Sequence, residues 1–129
     1  MDNFLYCTNE ELNSITRVRG SFLVPRGLED AFTLWQAYVL HFHFMDGFGY
    51  NWNAFNDCVC SYEDFPDLNI MIIHEDLPLR SSPEDQRIYL SVLNDSIDFW
   101  QRSDNSEFHS VKVYFPESCR SEIAKVLDP

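Results

Sequence analysis

Between Leu28 and Phe42 the apolar positions recur with the period of a helix. Leu28, Ala31, Phe32, Trp35, Tyr38, Val39 and Phe42 fall on one face, and Glu29 and Asp30 sit in the first turn, where the helix dipole favours acids. Upstream, Ile15-Thr16-Arg17-Val18-Arg19 alternates apolar with polar residues, the pattern of a half-buried strand. Gly20-Ser21 can turn the chain, and Pro25-Arg26-Gly27 breaks it again. Gly47 and Gly49 interrupt the helical period and mark a tight loop. A shorter helix then fits Asn51 to Cys60. Trp52, Phe55 and Val59 share one face with Cys58 beside it, while Asn53, Asn56, Asp57 and Cys60 lie opposite.

Leu68 to Ile73 is an apolar run of strand length without clean alternation, as expected of a strand covered on both faces. Ser82-Pro83-Glu84-Asp85 opens a helix with a cap, a first-turn proline and acids for the dipole. Its apolar face is Tyr89, Val92, Leu93, Ile97 and Trp100; Arg87, Asn94, Asp98 and Gln101 form the polar side. Val111 to Phe115 reads as a final strand ended by Pro116, and a short helix fits residues 118–127. The predicted strands lie near 15–19, 68–74 and 110–115, and the helices near 28–42, 51–60 and 83–102. Helix-length crossovers between strands predict an α/β fold, a small three-stranded parallel sheet with helices packed on it. The 129 residues suit one domain, 1–129, with a core of about 15–115, an N-terminal arm 1–13 and a C-terminal tail 116–129.

Charge narrows the function. Nine basic against 21 acidic residues give a net charge of −12, which repels nucleic-acid backbones and anionic membrane surfaces. A basic protein partner is the natural expectation. The excess is uneven: residues 27–79 contain no Lys or Arg and nine acids, Glu29, Asp30, Asp46, Asp57, Glu63, Asp64, Asp67, Glu75 and Asp76. No apolar run reaches the roughly 20 residues of a membrane span. The opening Met1-Asp2-Asn3-Phe4 lacks the basic start of a secretory signal, so a cytoplasmic protein is expected, monomeric when unbound. Cys7, Cys58, Cys60 and Cys119 are then expected as reduced thiols, and the two-residue step from Cys58 to Cys60 fits zinc spacing poorly. No metal or cofactor is expected. His41 and His43, set among Phe42 and Phe44, read as packing or loop residues.

The segment Phe48-Gly49-Tyr50-Asn51-Trp52-Asn53-Ala54-Phe55-Asn56-Asp57-Cys58 interleaves aromatics, amides and one carboxylate. Asn53 and Asp57, four apart, share the outer helix face. Fixed polar groups among aromatics are what protein interfaces use as anchors. This segment resembles the central motif of the barstar family of intracellular ribonuclease inhibitors, with matches at Gly49, Asn51, Trp52, Ala54, Phe55, Asp57 and Cys58. Weaker similarity covers about residues 15–115: Arg19-Gly20-Ser21 is similar to the turn after the family's first strand, and Tyr89 to Asp95 to its long late helix. The resemblance implies a barstar-like three-stranded parallel sheet and a partner that is a basic nuclease or toxin. It implies no enzymatic activity. It also implies that the loop and second helix enter that partner's active site, with Asp57 standing where a substrate phosphate would lie. Phe48, Gly49, Asn51, Trp52 and Asn53 match neighbouring contact or loop-shaping positions, and Asp98 an acidic rim position. Two departures are visible: the motif's first Asp is Asn53, and Gly47 stands where an aromatic is common.

A second reading is a small ligand-binding domain or hydrolase-like enzyme that uses the acidic segment and His74. His74-Glu75-Asp76 ends the central strand, where side chains of parallel sheets often meet ligands and could form an acid–base site.

Overall fold

The computed structural model of the protein describes residues 2–44, 48–61, 69–102 and 110–128. Gly47 and Leu68, assigned above to a loop and a strand, lie outside these residues. The apolar run becomes an inner strand because it carries bulky aliphatics for both faces: Ile70, Ile72, Ile73 and His74 are all buried. In chain order the elements are β1 (Leu5–Cys7), α1 (Asn9–Ile15), β2 (Ser21–Val24), α2 (Ala31–Phe42) and α3 (Trp52–Val59). There follow β3 (Asn69–His74), α4 (Pro83–Arg102), β4 (Ser110–Pro116) and α5 (Arg120–Leu127), with a 3-10 turn at Glu117–Cys119. The sheet runs β1-β4-β3-β2 and every pairing is parallel. Ile72 of β3 lies opposite Phe22 of β2 and Val113 of β4.

The expected mixed fold with a parallel sheet is present, with a fourth strand. Residues 5–7, placed above in an N-terminal arm, pair with Tyr114–Pro116 and extend the sheet past β4. The strand predicted at 15–19 is not one. Thr8 accepts from the Glu11 backbone while Glu11 reaches back to the Thr8 N–H, a reciprocal cap that starts α1. Leu12 fills the buried side of that helix, Val18 stays 50% exposed, and the alternation has no sheet to face. The turn at Gly20, with φ of 90°, therefore precedes the strand Ser21–Val24 rather than following one. α2 also starts three residues later than predicted, because Asp30 is its cap and accepts from the Thr33 backbone N–H at 2.8 Å. Its buried residues are Leu34, Trp35, Tyr38 and Phe42, while Phe32 turns outward. α4 matches its predicted span.

The loops that follow β2 and β3 are stitched together, and this fixes where α2 and α4 begin. Gly27 N–H donates to Asp76 at 2.9 Å, Leu79 N–H to the Leu28 carbonyl at 2.8 Å, and Ser82 to the Glu29 carbonyl at 3.1 Å. Arg26 pairs with Glu75 at 3.3 Å across the same seam. Beneath it lies a buried polar chain. His74 Nδ1 faces the Tyr114 carbonyl at 2.9 Å, an acceptor only, so Nδ1 carries the proton. Nε2 then accepts from the Tyr89 hydroxyl at 2.7 Å, whose oxygen accepts from Tyr38 at 2.7 Å. Both ring nitrogens and both hydroxyls along the chain have a partner with a neutral imidazole, as burial demands. Burial accordingly pushes His74 down from its ordinary 6.5 to about 3.

Acid sensitivity follows. The unfolded chain protonates His74 near pH 6.5 while the native state resists until about pH 3. This share of stability is complete above about pH 6.5 and is lost as pH falls towards 3, by up to about 1.4 kcal/mol per pH unit. Urea unfolding at stepped pH should show that slope. His74→Gln, which cannot titrate, should flatten it within that window, whereas an unchanged slope would place the acid sensitivity elsewhere.

Candidate protein-binding site

α3 is short, and its placement depends on what its two ends hold. Asn51 caps the first turn: its Oδ1 accepts from the Ala54 N–H at 2.8 Å, and its Nδ2 donates to the Gly49 carbonyl at 3.3 Å. A Cβ added to Gly49 would stand 3.0 Å from Asn51 Nδ2, so the glycine makes room for the cap. Trp52 turns inward and donates its indole N–H to Asp85 on α4 at 3.1 Å. At the other end Trp100 of α4 donates to the Val59 carbonyl at 2.9 Å. Between these ties Phe55 is fully buried, edge-on to Tyr38 at 4.8 Å and close to Tyr89 at 6.0 Å. The helix cannot roll without breaking one of these contacts. Asn53, Asn56 and Asp57 are therefore held outward and exposed.

The acids of the 27–79 segment are less available than their number suggests. Glu29 accepts from Ser81, Asp30 caps α2, Glu75 pairs with Arg26, and Asp76 accepts from Gly27. Asp57 alone of the described acids in this segment has neither a hydrogen bond nor an ion pair among the described residues. Asp57 and Asp95 of α4 both act on the Cys60 thiol, whose pKa is raised by burial and then by these two charges. The carboxylates thus gather where α3 meets the later turns of α4. Asp98, one turn beyond Asp95, pairs with Arg102 at 3.6 Å. Asp95, Asp98, Phe99 and Arg102 line an open groove of about 460 Å³.

The sequence-predicted residues thus divide by role. Asn53 and Asp57 present outward-facing polar groups on α3, while Asp98 lines the groove on α4. Gly49, Asn51 and Trp52 shape and hold the segment. Phe48 is half-buried, 5.8 Å from Phe44 and 5.0 Å from Tyr50. Two contributors were missed. In the sequence Asp85 is a dipole-matching acid, and nothing in the chain pattern couples it to Trp52. Asp95 was legible in principle, three residues from Asp98 on the same helix.

His74 is 1% exposed, stacked on Phe115 at 3.9 Å, with both ring nitrogens engaged. Glu75 and Asp76 are committed to the loop seam. These three residues form a core-and-seam structure, not an acid–base site open to a ligand. His41 stacks on Phe22 at 4.5 Å, and His43 ends α2 in the left-handed conformation, φ 54°. The four cysteines form no disulfide, and the described residues contain no cluster of three or more metal-ligating side chains. No described helix is long and apolar enough to cross a membrane.

Comparison with known proteins gives one finding. The family model described as Barstar (barnase inhibitor) matches residues 23–114, from within β2 to within β4. No curated protein and no solved structure gives a significant match.

The cap makes a direct prediction. Asn51→Ala should cost about 1 kcal/mol of stability in chemical denaturation and speed amide exchange in the first turn of α3. Exchange there at the wild-type rate would show that the helix does not depend on Asn51.

Proposed function

The chain belongs to the barstar family, and from that premise we propose that it is an inhibitor, not an enzyme, that binds a basic ribonuclease and occludes its active site. The observation that carries the reading is the availability of Asp57. It is an exposed carboxylate, uncommitted among the described residues, on a helix anchored at both ends. A nuclease cleft must gather cations to hold RNA phosphate. A carboxylate fixed on a rigid helix can accept several charge-assisted hydrogen bonds from those cations in place of a phosphate. Asn53 and Asp98 flank it as polar rim contacts, and Phe48, Gly49, Asn51 and Trp52 set the loop's shape. The surrounding negative field steers a basic partner and speeds encounter. In this reading the protein acts in the cytoplasm as a monomer and neutralises a nuclease or toxin, as an immunity protein does.

Barnase, the ribonuclease in the family's description, is the probe. Asp57→Ala should weaken the complex by about 2–5 kcal/mol, the range for truncating one side of a desolvated charge pair, to which complexes of this family themselves contribute. Its folding stability should stay within about 0.5 kcal/mol of wild type, as for other exposed surface positions. Salt should slow association more than it hastens dissociation, because steering is screened and a buried pair is not. Asn53→Asp restores the charge found at this position in the family and should tighten binding. If Asp57→Ala binds as well as wild type, Asp57 does not mimic a phosphate.

A further inference from the structure

The exposed aromatic surface beside α3 is unexplained by folding. Phe32 is 51% exposed and Tyr50 37%, although both are large apolar rings. Their rings lie 5.0 Å apart and tilted by 30°, and Phe48 meets Tyr50 edge-on at 5.0 Å. The two exposed rings come from different elements, the first turn of α2 and the loop before α3. Tyr50 reaches this position in the left-handed conformation, φ 47°, which an L residue with a bulky side chain rarely adopts. Asn or Gly would hold that backbone more easily. A strained tyrosine that spreads its ring on the surface points to a use outside the fold.

Position and charge say what the ring pair would meet. Tyr50 directly precedes the Asn51 cap, and Phe32 lies one turn before Trp35 of α2, which packs edge-on against Trp52 at 5.1 Å, so the pair lies at the N-terminal end of α3, the helix that carries Asn53 and Asp57. No Lys or Arg occurs in residues 27–79, and the chain carries −12 overall. Ring faces attract cations, and guanidinium groups stack on them best. A second copy of so acidic a chain, or a nucleic acid, would be repelled.

We propose that Phe32 and Tyr50 form an aromatic ledge that seats an arginine side chain of the same basic nuclease, at the rim of the cleft that Asp57 enters. The inference rests on the proposed inhibitory function and adds to it a contact on α2, outside the loop–helix motif.

Binding to barnase tests the ledge in four variants. Phe32→Ala, Phe32→Leu and Tyr50→Asn should each raise Kd about fivefold to tenfold, mainly through faster dissociation, while keeping a cooperative thermal transition. Phe32→Trp, which keeps a ring face, should bind at least as well as wild type. Wild-type binding by Phe32→Leu would overturn the arginine assignment, since it would mean that an apolar group meets the ledge. If Phe32→Ala and Tyr50→Asn also bind normally while Asp57→Ala is weakened, the ledge is refuted and the inhibitory function stands. If wild type forms no complex, the inhibitory function fails and the occupant named for the ledge fails with it.

Discussion

The phenol of Tyr89 is the group on which the arrangement of elements depends. It donates to His74 of β3 and accepts from Tyr38 of α2, and through His74 it is linked to the Tyr114 carbonyl of β4. Its ring lies within 6.3 Å of Trp52 and 6.0 Å of Phe55, the two inward aromatics of α3. A buried polar chain of this kind admits one arrangement, because each partner left unpaired in the interior costs about 1–3 kcal/mol. The sheet, α2 and α4 therefore cannot slide relative to one another without disconnecting it. α3, too short to be stable alone, takes its position from the surface they present.

That rigidity is what gives an exposed carboxylate value in binding. A mobile aspartate would lose conformational entropy on docking, whereas Asp57 rides on a helix already tied at Trp52 and at Val59. The uneven charge has two separate uses. Most described acids of the 27–79 segment build the protein: they cap α2, close the loop seam and hold the starts of the helices. Their summed field still reaches solvent and favours a basic partner. In the proposed function, short-range recognition falls to Asp57 and the groups around it.

How much of this was legible in the chain varied with the range of the interaction involved. α4 and α3 were readable because caps, acids and apolar stripes are local signals, and Asn53 and Asp57 at a four-residue spacing had to share a face. The inner strand β3 was readable from its unbroken aliphatic run. Residues 15–19 misled because five alternating residues do not separate a strand from the end of a helix. The decisive signal was upstream, in the capping-box pattern Thr8-Asn9-Glu10-Glu11. β1 was not legible: three residues gain strand character only by pairing with β4, over a hundred positions away. The burial of His74 and the commitment of Glu29, Glu75 and Asp76 depend likewise on partners from other elements. The chain pattern could count the acids but could not show which of them folding would use.

Occupation of a nuclease active site predicts a kinetic signature, mutual exclusion of inhibitor and substrate. Initial rates of RNA cleavage by barnase, measured over a range of substrate concentrations at several fixed concentrations of this protein, read it directly. If Asp57 stands where the substrate phosphate binds, inhibition will be competitive: the apparent KM rises with inhibitor, and kcat is recovered at saturating RNA. Inhibition that lowers kcat and leaves KM unchanged, or no inhibition at all, would contradict active-site occlusion.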